Sequence, residues 1–117
     1  MQNDQHGKWS EESDALIAAP QHHKLLFEND FVRVIDACIP AGEITAVHTH
    51  QWPASLYFIS WSDFIRYDAA GNVVLDSRNL ATTILPGTAI WSEPLAPHAL
   101  KNIGGNDLKV ICVEIKK

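Results

Sequence analysis

The stretch Gly42-Glu43-Ile44-Thr45-Ala46-Val47-His48-Thr49-His50 decides the reading of this chain. Its β-branched residues predict an extended strand over 45–50. Side chains alternate across a strand, so histidines two apart share a face, and His48 and His50 present their imidazoles to one centre. This is ligand geometry, because imidazole is the commonest metal-binding side chain. A third histidine, His98, stands behind Pro97, and Asn102 follows it at the start of the last hairpin. His98 stands 48 residues after His50, and in an antiparallel barrel such a separation can return the third imidazole to face the pair.

Outward from this segment the pattern stays extended. Candidate strands fall at 24–28, 31–39, 45–50, 56–67, 73–76, 81–85, 88–93, 99–103 and 108–115. Turn chemistry separates them at Asn29-Asp30, Pro40-Ala41-Gly42, Gly71-Asn72, Pro86-Gly87 and Gly104-Gly105-Asn106-Asp107. No helical pattern intervenes, which predicts an all-β sandwich or barrel over residues 24–117. Residues 1–23 form an amino-terminal arm with one short helix, capped by Ser10 or Ser13 and running through Asp14-Ala15-Leu16-Ile17-Ala18 until Pro20 stops it.

With 117 residues, 46% of them hydrophobic, the chain has room for one core. No stretch approaches the ~20 apolar residues of a membrane helix, so no membrane partner is expected. The formal charge is −5 and the nine Lys and Arg are scattered, which excludes nucleic acid as the expected partner. Residues 1–13 lack the basic start and apolar run of a secretory signal, pointing to the cytoplasm. Cys38 and Cys112 lack CxxC spacing and read as free, buried thiols in a reducing compartment. His6, His22 and His23 read as incidental.

The motifs resemble those of the cupin superfamily. Its first motif is a glycine, five residues, HxH, a glutamate and a later glycine; Gly42, His48 and His50 match in order and spacing. The glutamate is missing: Ser55 stands at its position, with Ala54 before it, and no glycine occurs near Ser62 or Asp63. For the second motif, Gly87 opens a strand, Glu93-Pro94-Leu95-Ala96-Pro97 precedes His98, and Asn102 closes the match, with Leu95 or Ala96 replacing the usual glycine. The resemblance covers roughly residues 25–115. It implies a cupin-type double-stranded β-helix, or jelly-roll, barrel with a short N-terminal helical arm. Phe27-Glu28-Asn29-Asp30-Phe31-Val32-Arg33-Val34 and Ile39-Pro40-Ala41-Gly42 are further similar to small single-domain cupins linked to β-alanine breakdown, which also tend to lack the glutamate.

The expected metal ligands are His48, His50 and His98, holding a divalent Fe, Zn, Ni, Mn or Cu ion. Three neutral imidazoles leave such an ion its full double charge, so the site favours a small anionic organic ligand. Three-histidine iron sites in cupins resemble those of thiol and diketone dioxygenases, which implies dioxygenase-like chemistry. The alternatives are a non-catalytic ligand-binding or sensing cupin, and a cofactor-free isomerase or epimerase. The resemblance implies that Ser55 points inward as the motif's glutamate does; alternation then brings Tyr57 and Ile59 into the pocket as well, with Trp52, Trp91 and Glu93 as further lining candidates. Open sheet edges and the apolar residues within 9–26 predict a homodimer.

Overall fold

The computed structural model describes residues 9–82 and 84–116. Among them, nine strands run in chain order: β1 (His23–Glu28), β2 (Val32–Ile39), β3 (His48–His50), β4 (Ala54–Ser60), β5 (Phe64–Asp68), β6 (Val73–Asp76), β7 (Ala89–Ser92), β8 (Leu95–Asn102) and β9 (Leu108–Ile115). They form two antiparallel sheets, β1-β2-β9-β4-β7 and β3-β8-β5-β6. This is the expected all-β architecture. No helix among the described residues is long and apolar enough to cross a membrane.

The core follows from strict alternation in β2 and β9, the two central partners. On β2, Arg33, Ile35, Ala37 and Ile39 are buried; on β9, Leu108, Val110, Cys112 and Glu114 are. The register sets these residues side by side, Arg33 with Glu114, Ile35 with Cys112, Ala37 with Val110 and Ile39 with Leu108. The inward face is therefore graded, from an ion pair at one end to aliphatic side chains at the other. Phe58 of β4 and Phe64 of β5 complete the apolar end. Complete burial of Ile35 and Leu108 stabilises the fold by about 2 kcal/mol each. Cys112 lies in this core and Cys38 on the opposite face of β2, and both thiols are free.

Several local features depart from the expected pattern. The strand expected over 45–50 forms only at His48–His50, and the one expected over 99–103 begins at Leu95 and so includes His98. The run 56–67 breaks into β4 and β5 at Trp61-Ser62-Asp63, because the chain there leaves one sheet for the other. Asn102 pins that crossing: its Oδ1 accepts from Ser62 Oγ at 2.6 Å and Gly104 N at 3.0 Å, and its Nδ2 donates to the Ile39 and Asn106 carbonyls. The described residues of 81–85 form no strand. They connect β6 to β7, edge strands of different sheets, and so have no ladder to join. Finally, α1 (Ala15–Ala18) is capped by Asp14, whose carboxylate accepts from Leu16 N at 3.1 Å. Neither expected cap serves it: Ser13 donates its hydroxyl to the Ser10 carbonyl and lies 3.0 Å from Thr49 Oγ1, tying the arm to β3.

Two backbone features position the histidine strands. Gly42 has φ +84°, a left-handed turn that a side chain would strain, and it returns the chain from β2 toward β8, where its N–H donates to the Asn102 carbonyl. The β3–β8 ladder is irregular: His48 pairs with His98, but His50 pairs with Leu95, leaving Ala96 and Pro97 in a bulge. Pro97 is tolerated there because a bulged residue owes no ladder hydrogen bond.

Candidate metal centre

Four imidazoles converge inside the barrel, from β1, β3 and β8. The ligand atoms of His23, His48 and His50 all lie within 4.8 Å of one another. His98 lies against His48, ring centroids 4.4 Å apart, and 5.6 Å from His50. His23, read from sequence as incidental, is 4.6 Å from His48 and 5.6 Å from His50 by the same measure. It reaches the cluster because β1 pairs with β2, setting His23 beside inward-facing Ala37. His22, its neighbour, points away and meets Glu43 at 2.8 Å; His6 lies outside the described residues.

Every ring is oriented through Nδ1. His48 and His98 each donate to the carbonyl two residues back, Ala46 and Ala96, both at 2.7 Å. His23 donates to the Ala19 carbonyl at 2.9 Å, and His50 to Glu114 Oε2 at 3.0 Å. A carbonyl or carboxylate oxygen only accepts, so Nδ1 carries a proton, and in a neutral ring Nε2 then keeps its lone pair. Burial, reinforced by the neighbouring imidazoles, pulls His48 down to about 2, His98 to about 3 and His23 to about 4. These three rings are neutral at physiological pH, the form that binds metal. The donor set therefore fits a first-row divalent ion. An oxygen acceptor behind each ligating imidazole is also the usual support of such a site.

A buried charge network stands behind His50. Arg33 donates Nε–H to Glu114 Oε1 at 2.9 Å and both terminal nitrogens to Asp14, at 3.2 and 2.8 Å. Glu114 is fully buried; desolvation alone would raise its pKa, but His50 and Arg33 hold the carboxyl below the usual range. Desolvation likewise opposes the charge on Arg33, and its two carboxylate partners more than offset this. Trp52 covers the pair, with Arg33 4.9 Å from its ring centroid.

The cluster opens on a cavity of about 110 Å³. Trp52 lines it, as expected from sequence. Ser55 and Tyr57 do not: Ala54, Leu56 and Phe58 are the β4 residues in the wall. Tyr57 and Ile59 are 45% and 47% exposed on the outer face. The sequence expectation was one residue out of step, and such a slip exchanges the two faces of a strand. Trp91 and Glu93 are outside the lining as well. Trp91, 57% exposed, donates its indole N–H to Glu93 on the protein surface, while Ser92 and Leu95 face inward.

Sequence reasoning missed His23, Arg33, Glu114 and Asp14 as parts of the site. A signal for two of them was present, since Arg33 and Glu114 fall in phase with the buried aliphatics of their strands, where an unpaired charge is not tolerated. Nothing local marked His23.

No family model matches the chain. An uncharacterised protein of Methanocaldococcus jannaschii is 26% identical over 99 residues, 85% of this chain and 72% of that protein. Among solved structures, a cupin domain from Bordetella pertussis superposes with a TM-score of 0.65 at 17% identity, over 81% of this chain and 92% of that one. An RmlC-like cupin with a double-stranded β-helix fold, also from M. jannaschii, superposes with a TM-score of 0.57 at 14% identity, over 80% and 78%. The polyketide cyclase RemF from Streptomyces resistomycificus gives 0.54 at 17% identity, over 86% and 68%. With its two antiparallel sheets, buried histidine cluster and short amino-terminal helix, the chain has the double-stranded β-helix fold of the cupins.

Proposed function

We propose that this protein holds a divalent first-row metal on His23, His48 and His50, with His98 as a fourth imidazole, and acts through it on a small anionic organic molecule. The observation that carries this reading is the clustering of the ligand atoms of His23, His48 and His50 within 4.8 Å of one another, with each of the four rings engaged through Nδ1 by an oxygen behind it. An all-nitrogen donor set suits Fe, Zn, Ni or Cu better than the harder Mn. Such an ion, once bound, supplies Lewis acidity and, for iron or copper, redox capacity. The chain's own residues fix the imidazole tautomers, brace His50 through Glu114, and surround the centre with apolar walls that exclude water.

Charge supports the anionic ligand. Glu114 in the lining is engaged by Arg33 and His50, and Ala54 stands where a motif carboxylate would face the cluster. Dioxygenase-like chemistry is the finer reading. Tyr57 and Glu93, which could act as acid and base in a cofactor-free isomerase, both lie outside the cavity wall, which favours metal-centred chemistry over proton shuttling. The finer likeness to cupins of β-alanine breakdown rests on residues 27–34 and 39–42 alone. A homodimer and a cytoplasmic location belong to the same proposal; exposed Phe27, Tyr57, Ile59 and Trp91 support the former.

The test is metal analysis of protein purified without chelators, followed by an oxygen-uptake screen over small carboxylates, thiols and diketones. One metal per chain and uptake with one substrate class is the expected result. Metal without uptake would remove the dioxygenase reading and leave the binding one, and absence of metal after reconstitution would end both.

A further inference from the structure

Arg66 on β5 is the one lysine or arginine among the described residues lining the cavity. Its situation is unlike that of Arg33, which is saturated by Asp14 and Glu114. Among the described residues no carboxylate and no carbonyl accepts a hydrogen bond from the Arg66 side chain, and desolvation lowers its pKa without any compensating partner. It stands on the inward face of β5, two residues after buried Phe64 and opposite Leu100, another wall residue. It is also near enough to His98 for its charge to depress that imidazole's proton affinity. A half-buried guanidinium facing an apolar cavity without a counter-ion is unfavourable unless something anionic enters.

We propose that Arg66 is the carboxylate-binding residue of the cavity, and that the ligand is a small organic monoacid spanning from Arg66 to the histidine cluster. The inference rests on the metal reading only for the far end of that ligand. The planar fork of an arginine matches a carboxylate with two parallel hydrogen bonds. In the metal-free cavity one guanidinium neutralises one carboxylate, whereas a phosphate dianion would leave charge uncompensated between Leu56, Phe58 and Phe64. The cavity of about 110 Å³ has room for roughly four waters, so the acid is limited to about that many heavy atoms or one more. A second donor on the same molecule, an oxygen, nitrogen or sulfur, would reach the Nε2-lined centre.

Glycolate, glycolamide and inorganic phosphate are the probes, titrated into wild type, Arg66→Gln and Arg66→Lys, each metal-free and metal-loaded. The guanidinium Nε–H resonance of Arg66 reports contact directly. The expected result is that glycolate shifts that resonance in metal-free wild type while glycolamide and phosphate do not. Arg66→Gln should weaken glycolate at least tenfold in both metal states, and Arg66→Lys by less, with metal content per chain unchanged. Equal glycolate affinity in wild type and Arg66→Gln, equal affinity for glycolamide, or tighter phosphate binding would overturn the assignment. Should Arg66→Gln not fold, the Nε–H resonance and Arg66→Lys decide alone. Absence of metal from every protein would defeat the metal reading, while the metal-free titrations would still judge Arg66.

Discussion

His50 donates its Nδ1–H to Glu114, a fully buried carboxylate 3.0 Å away on a strand of the opposite sheet. The contact couples the candidate metal centre to the Arg33–Asp14 ion pair and through it to the amino-terminal arm. Replacing Glu114 by glutamine keeps an acceptor for His50 but removes the charge facing Arg33. Metal affinity should fall by about 10- to 100-fold. The metal-free protein should lose roughly 2 kcal/mol or more, because Arg33 keeps only one of its two buried anionic partners. Competition against a chromophoric chelator and urea unfolding measure the two effects separately.

His23 and His98 distinguish two versions of the centre. Side-chain geometry groups His23 with His48 and His50, so His23→Ala should strip metal about as thoroughly as His48→Ala. His98→Ala should weaken binding by less. Full metal content in His23→Ala together with loss in His98→Ala would restore the triad expected from sequence.

Protonation should unfold the metal-free protein. His23, His48 and His98 have folded-state pKa values depressed to about 4, 2 and 3, below the 6.5 of an unfolded histidine. Between those values the unfolded chain binds more protons, so stability present above pH ~6.5 is lost as pH falls toward 4. Each proton taken up contributes ~1.4 kcal/mol per pH unit. The depressed Glu114 adds in the same direction below its ordinary pKa of 4.5. The urea midpoint should be clearly lower at pH 5.0 than at pH 7.5; equal midpoints would contradict the burial of neutral imidazoles.

The face of β4 can be tested by placing a carboxylate on either side of it. Ala54 lines the cavity and pairs with Glu114, whereas Ser55 pairs with the outer residue Trp91. Ala54→Glu should tighten metal, weaken carboxylate ligands, and destabilise the metal-free protein through repulsion from Glu114. Ser55→Glu should leave metal and ligand affinity unchanged, and a strong effect there would reverse the face assignment.

Sedimentation addresses the proposed homodimer. The expected species is twice the 13.0 kDa chain at micromolar concentration. A charge at an exposed aromatic of the outer sheet face, Tyr57→Glu or Trp91→Glu, should shift it toward monomer without affecting metal content.

Local chemistry in the sequence was enough to indicate the strands, most turns and the common face of His48 and His50. Alternation and turn residues act within a few positions and need no knowledge of distant partners. The order of the two motifs likewise pointed to the double-stranded β-helix. Tertiary structure decided what lay beyond that reach. His23 enters the cluster through the pairing of β1 with β2, and Arg33, Asp14 and Glu114 meet across three separate segments. Ala54 rather than Ser55 faces inward because β9 sets the register of β4, and Arg66 faces the cavity because β5 pairs with β8. Periodicity shows that two faces of a strand differ; only its long-range partners determine which face is buried and which residues share its level in the barrel.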